Sequence, residues 1–359
     1  MKKFNFILLI FSLISCSDIK DENLQKSLVT ISIKPDFSSA INFIKDTTFI
    51  PLEFCEDCII GNISKVLKVP DGFIISDKTI TKQILKFGND GKFLFKVGNQ
   101  GEGLGNYILP FDISLIPNTN HLAVLDQNQN KFIFYDLETG NFIEEVSVYF
   151  QAKSFYFLDS TTVALHNDGN FSGLERDNLG AILSLEKNEY LFKGVNDFPK
   201  TDQNLTGGDF LEGAKGALFS KSLNDTIYTV NHDGFFPKYK LDFGDKAVKE
   251  ELKKKPLMEM FEEMMKTTPY YHNGNIIENT NYLFYLWWAD DPIEKFSWYN
   301  KVTKVNSSMN GEEVIFKRPF YINEDYLVAY LTNADFEQME IKPNFGLSEN
   351  QTLVKITFK

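Results

Sequence analysis

Phe73-Ile74-Ile75-Ser76-Asp77, Gln83-Ile84-Leu85-Lys86-Phe87 and Asp90-Gly91-Lys92-Phe93-Leu94 together decide the fold. Three short β-rich runs follow one another, each closed by turn residues such as Gly88-Asn89-Asp90-Gly91. Turn residues every eight to twelve positions between such runs are the all-β signature. Ile63 to Val69 and the turn Pro70-Asp71-Gly72 precede this stretch, so the unit holds four strands. It then recurs as Phe111–Ile116, His121–Asp126, Lys131–Tyr135 and Asn141–Val146. Asp77 and Asp126, Gly91 and Gly140, and Val97 and Val146 each lie 49 residues apart. Four-stranded units at such a period are the blades of a β-propeller.

Later units are blurrier. Ser154–His166 with Ala181–Phe192, Gly216–Val230 with Phe236–Phe243, Asn275–Trp288 with Lys295–Val305, and Val314–Leu331 with Gln351–Phe358 read as blades three to six. The expectation is an all-β, six-bladed propeller with four-stranded antiparallel blades over residues 41–359. A ring must close, because an open last blade leaves an unpaired edge. Ile41–Phe54 is therefore expected beside Thr352–Phe358. One helical insertion is expected at 245–266, where Lys, Glu and Met replace the β-branched runs. Pro256 splits it or starts its second half. Met258, Phe261, Met264 and Met265 fall at helical spacing, either covering the propeller or forming an adaptable partner surface.

The N-terminus reads differently. Lys2-Lys3, the apolar run Phe4–Ile14 and the polar stretch from Ser17 have the layout of a secretory signal peptide. Leu13-Ile14-Ser15-Cys16 resembles the lipobox of bacterial lipoproteins. The resemblance implies cleavage before Cys16, lipid on its thiol and attachment to a membrane; buried acyl chains contribute about 0.8 kcal/mol per CH₂. Residues 1–15 are then signal peptide and 16–40 a lipidated linker. Ser17 in place of Asp implies release from the inner membrane. Asp18, Asp21 and Glu22 resemble a surface-export tag, so the expected address is the outer membrane, at the cell surface or its periplasmic face.

Loss of Lys2 and Lys3 takes the formal charge from −12 to −14. So acidic a chain repels phosphate backbones, which argues against nucleic acid as a partner. The 34 phenylalanines suit sheets stacked face to face.

Candidate sites are few. Cys55 and Cys58 form a lone C-x-x-C; outside the cytoplasm a local disulfide is expected, with redox and metal roles as alternatives. Gly98–Gly105 carries four glycines without the Gly-Lys-Ser/Thr ending of a P-loop and sits between strands, so it reads as a turn. Asp77 and Asp126 are expected to accept hydrogen bonds from turn backbones. His121, His166, His232 and His272 show no ligand spacing. Trp287-Trp288-Ala289-Asp290-Asp291, with Tyr270, Tyr271 and Trp298, is the one cluster that suggests a ligand platform; the alternative is aromatic packing between blades. No residue set points to a catalytic centre, cofactor or metal.

Ile59-Ile60-Gly61-Asn62-Ile63-Ser64-Lys65-Val66, Phe73–Asp77 and the Gly98–Tyr107 loop resemble the six-bladed β-propeller lipoproteins of Gram-negative bacteria, propellers of NHL/TolB-like type. Leu104 and Asn106 stand where that family has Pro and Glu. Asn224–Tyr228 and Pro237–Gly244 continue the likeness. It implies a fold and an envelope address, not a reaction. The expected function is non-catalytic binding of a glycan, peptide or envelope protein. The alternative is a hydrolase or lyase acting on saccharide in the channel, which requires three or more His, Asp or Glu side chains converging there.

Overall fold

The computed structural model describes residues 28–34, 44–148, 150, 152–166, 179–195, 208–213, 216–290, 294–310, 317–341, 346 and 349–359. The segment expected to be a signal peptide (residues 1–15), Cys16 and Asp291 lie outside the described residues.

Six antiparallel sheets form the six blades. From the innermost strand outward, blade 1 is Lys65–Val69, Gly72–Asp77, Gln83–Gly88 and Phe93–Lys96. Blade 2 is Asp112–Leu115, His121–Asp126, Lys131–Asp136 and Phe142–Ser147, the 49-residue repeat of blade 1. Blade 3 is Ser154–Phe157, Thr162–His166, Gly180–Ser184 and Glu189–Gly194. Blade 4 opens on Gly208–Gly213, a strand the sequence reading missed, and continues with Gly216–Lys221, Thr226–Asn231 and Gly234–Asp242. Blade 5 is Tyr271–Glu278, Tyr282–Trp288, Glu294–Asn300 and Asn306–Asn310. Blade 6 is Lys317–Ile322, Tyr326–Leu331, Thr352–Phe358 and, outermost, Ile44–Pro51.

The ring closes as expected: Ile44–Pro51 pairs antiparallel with the C-terminal strand, Phe49 opposite Val354. An N-terminal strand thereby satisfies the backbone edge that Thr352–Phe358 would otherwise expose. Val29–Ser32 was assigned to the linker, but it adds a parallel fifth strand to blade 4, Ile31 opposite Leu241. Ile31 and Ile33 are buried against Tyr239 and Leu241, which explains why a short, unrepeated stretch docks.

Strand position explains the sequence pattern. Middle strands such as Gly72–Asp77 are buried on both faces, hence their unbroken apolar runs, whereas outer strands such as Phe142–Ser147 are partly exposed and carry charges. Phenylalanines fill the space between blades. Phe132 of blade 2 lies 4.8 Å from Phe155 of blade 3, centroid to centroid, and also meets Phe150 and Phe157.

The insertion between blades 4 and 5 is helical. It comprises a 3-10 turn at Gly244–Lys246, α1 (Glu250–Lys253) and α2 (Leu257–Thr267). Pro256 separates the helices as the N-cap of α2. The buried side differs from the expected stripe. Met260 and Met264, one turn apart, pack on Leu223, Val248 and Leu252, while Met258, Phe261 and Met265 face solvent. Burying two methionines stabilises the docked helix by about 1.5–3 kcal/mol each. α3 (Asn333–Gln338) follows in blade 6 and starts with a capping box from Thr332 and Asp335. Among the described residues no helix is long and apolar enough to cross a membrane.

Candidate functional site

The six innermost strands each neighbour the next, round to blade 1. They enclose a central cavity of about 1200 Å³. Its wall is part apolar, with the half-buried Leu67, Leu115, Leu211 and Phe320 among the lining residues. Charge enters at a few points.

The first is a triad at the start of three inner strands. The Lys65 ammonium of blade 1 lies 2.9 Å from Asp112 of blade 2 and 3.4 Å from Asp209 of blade 4. Burial works against the charge on Lys65, but Asp112 and Asp209 more than offset it and push its pKa up to about 12. Asp112 is pushed the other way, to about 6, by burial and by the Asp209 carboxylate, with Lys65 pulling against both. A raised carboxyl in a cavity is a candidate general acid. The Asp112 oxygens are already engaged, however: Oδ1 accepts from Lys65 and Oδ2 from the Phe155 amide. The side chain is only 7% exposed. Its geometry is that of a tie between blades.

The second charged region lies where blades 5 and 6 meet the cavity. Trp288 and Glu294 are cross-strand partners, and both line the wall. The Asn273 amide donates to Glu294. Arg318 lines the same cavity from blade 6, on an inner strand whose register breaks between Lys317 and Tyr321. Its φ is 50°, in the left-handed region. The guanidinium lies 5.2 Å from the Tyr330 ring centre and 3.6 Å from Asp335.

The expected platform is not assembled as one surface. Trp287 is wholly buried: its ring packs on Phe243 and Tyr270, and its Nε1 donates to Ser297 at 2.7 Å. Trp298 is buried in the core between blades 5 and 6. Adjacent residues on a strand point to opposite faces, so Trp287 and Trp288 part company. Only Trp288 reaches the cavity; Asp290 is exposed.

The other candidates resolve into structure. Asp77 accepts from the amides of Gly61, Asn62, Thr79, Ile80 and Thr81. Those bonds outweigh burial and hold its carboxyl below the usual range. Asp126 accepts from the amides of Ile108, Asn128 and Gln129. The glycine loop folds onto blade 2: the Tyr135 hydroxyl donates to the Gly105 carbonyl at 2.8 Å, and the Gly105 amide donates to Glu145. Cys55 and Cys58 meet as a disulfide across the 3-10 turn Glu56–Cys58, Cα atoms 5.0 Å apart.

The histidines do not converge. His166 and His272 are fully buried, each with Nδ1 3.3 Å from a serine hydroxyl, Ser154 and Ser220. Such pairs resemble nucleophile and base, but neither side chain is open to a substrate. Exposed His232 pairs with Asp159, 2.7 Å away. Among the described residues no three His, Cys, Asp or Glu side chains gather as a metal set.

Lys65, Asp112, Asp209 and Arg318 were not singled out from sequence. Each is a lone charge at or near a strand start or bulge; ring closure joins the first three, while Arg318 stands apart in the second charged region.

The fold also has recorded relatives. A profile of the family described as Domain of unknown function (DUF4934) matches residues 28–356. The chain belongs to this family. No curated protein matches it. A DUF4934-type fold is not isolated, however. A Bacteroides fragilis protein described, by inference, as exported is similar in structure, with a TM-score of 0.75 and 15% identity, covering 92% of this chain and 99% of that one. A DUF4221 family member from Bacteroides vulgatus has a TM-score of 0.58 and 14% identity, covering 89% of this chain and 99% of its own. At these identities the likeness shows the propeller fold alone.

Proposed function

We propose that this DUF4934 protein is a lipid-anchored, non-catalytic binding protein of the bacterial cell envelope, whose propeller holds a glycan, a peptide or a segment of a partner protein. The observation that carries the reading is the central cavity. At about 1200 Å³ it exceeds the roughly 300–1,000 Å³ of small-molecule pockets. Its wall mixes apolar and polar surface in nearly equal measure, with Trp288, Glu294 and Arg318 as orienting groups. Loops and inner strands from every blade shape such a site, which suits recognition without a catalytic set. The lipobox at Cys16 and the export ascribed to the Bacteroides fragilis relative support an outer-membrane address.

Trp288 provides the test. Trp287 and Trp298 are buried while Trp288 lines the cavity, so a ligand in the cavity changes the emission of Trp288 alone. A glycan and peptide panel is expected to yield a ligand that shifts the fluorescence, with the shift lost in Trp288→Phe. Ligands whose affinity survives both Trp288→Ala and Leu67→Asn would place binding elsewhere. For the anchor, cells fed labelled palmitate are expected to label the wild type and not Cys16→Ser.

A further inference from the structure

We propose that the cavity's ligand is an acidic oligosaccharide, with one sugar face on Trp288 and its carboxylate or sulfate on Arg318. This rests on the binding reading above and adds the chemical class.

Arg318 carries the argument. A bulge re-aims a side chain at the expense of ladder pairing, and a left-handed φ at a non-glycine residue is strained; both features gather where function demands them. Here they coincide at one residue, and the result is a guanidinium presented to the cavity. It is 48% exposed there and is steadied by the Tyr330 ring. Its contact with Asp335 is long, at 3.6 Å. That same Asp335 oxygen already accepts from the Thr332 amide and hydroxyl, each at 2.8 Å. The arrangement leaves a planar fork of donors facing the cavity, the geometry that takes a carboxylate or sulfate bidentately.

Charge bookkeeping points the same way. Lys65 is neutralised by Asp112 and Asp209. Lys68 donates to the Val69 carbonyl and lies over Phe73. Lys68 keeps its charge, but among the described lining cations Arg318 is the one whose planar guanidinium can take an anion bidentately. The chain's net negative charge does not veto an anion, because surface charges beyond about 8 Å are screened at physiological salt. Trp288 with Glu294 beside it supplies what a sugar ring needs: an indole for its C–H face and an acceptor for its hydroxyls. The volume calls for several rings.

The test is calorimetric titration of the purified full chain with a panel of uronate-bearing and sulfated tetrasaccharides and their neutral counterparts. At least one acidic tetrasaccharide is expected to bind, more weakly as salt rises. Arg318→Gln should weaken it by about tenfold or more and flatten the salt dependence. Arg318→Lys should restore part of the affinity, and Trp288→Ala should weaken acidic ligands while leaving thermal stability close to wild type. The uronate and sulfate arms identify which anion the site takes. Neutral tetrasaccharides binding as well as acidic ones, with Arg318→Gln unaffected, would overturn the acidic class and leave the binding reading standing. A peptide that shifts Trp288 emission while no saccharide binds would do the same. No cavity ligand of any kind would remove both.

Discussion

Lys65 of blade 1 sets its ammonium 3.4 Å from Asp209 of blade 4, on the opposite side of the ring, while 2.9 Å from Asp112 of blade 2. One side chain thus ties three of the six blades. The two partners are unequal, because Asp112 is 7% exposed and Asp209 40%. Lys65→Met strands a buried carboxylate and should destabilise by about 3 kcal/mol. Asp209→Asn removes a half-exposed partner and should cost under about 1 kcal/mol. Urea unfolding distinguishes them, and equal losses would refute the asymmetry.

His166 and His272 make the fold sensitive to acid. Burial holds both imidazoles neutral, His272 down to about 4 and His166 well below the ordinary 6.5. The unfolded chain therefore takes up these protons first. Stability is fully present above about pH 6.5 and falls as pH drops towards 4, by roughly 3 kcal/mol for His272 alone. Asp112 acts in the opposite sense. Its folded pKa of about 6 lies above the unfolded value, so stability is gained as pH falls from 6 towards 4. Asp225, raised by burial to about 6 as well, adds to Asp112. At pH 5 each histidine costs about 2 kcal/mol and each aspartate returns about 1.4 kcal/mol, so urea midpoints at about pH 7.5 and 5 should show a small net loss. His272→Gln should shrink that loss and Asp112→Asn enlarge it. A wild-type midpoint that holds steady down to pH 5 would contradict the assignment.

Closure of the ring predicts a hierarchy among N-terminal truncations. Removing residues through Pro51 exposes the backbone edge of Thr352–Phe358 and uncovers the Phe49–Phe336 contact, where the ring centroids lie 5.6 Å apart. That chain should aggregate or lose its cooperative transition. Removing only residues before Ile44 takes away the strand Val29–Ser32 and should leave a folded, less stable propeller. Ile31→Ala, at a fully buried site, should cost about 2–4 kcal/mol. Size-exclusion profiles and thermal melts separate the cases.

Blades 1 and 2 were legible because each carries its own turn residues and an aspartate that satisfies a loop backbone at the same offset. The closing strand was legible for a different reason: a ring with a spare β-rich segment at one end leaves one place for it. The inner strand Gly208–Gly213 escaped notice because glycines bound it and only Phe210 and Leu211 are apolar. Val29–Ser32 escaped because a four-residue parallel edge strand has no repeat partner. Trp287 and Trp288 show where sequence stops: adjacency suggested one platform, and strand alternation sent one ring to the core and the other to the cavity. Arg318 gave no signal at all, because its importance lies in a bulge and a φ value.

Cys55 and Cys58 are expected to contain no free thiol in protein purified without reductant. Alkylation should add mass only after reduction. The closed loop is short, so the chain-entropy contribution is modest, about 2 kcal/mol. Cys58 is buried beside Leu52 and Ile60, so Cys58→Ser should cost more than Cys55→Ser. Two readily alkylated thiols in the native protein would refute the bond.

The glycine loop separates a structural turn from a phosphate cradle. Gly98 and Gly105 have φ of 60° and 69°, and a Cβ on either would sit 2.6 Å from the Tyr135 ring or 2.5 Å from the Phe142 ring. Strain and clash act together at both positions, and the wholly buried Tyr135 ring has no room to retreat. Gly98→Ala and Gly105→Ala should each cost at least about 1–3 kcal/mol. At Gly103 the added Cβ meets only the Asn106 side-chain amide, at 3.1 Å. That group ends a flexible side chain, so Gly103→Ala should change the melting temperature little. A phosphate cradle would instead make all three positions matter for nucleotide binding and none necessarily for stability. Thermal melts of the three variants, with and without ATP, decide between them: a large loss at Gly98 and Gly105, a small one at Gly103 and no shift with ATP support the turn, and an ATP-dependent rise lost in Gly103→Ala would defeat it.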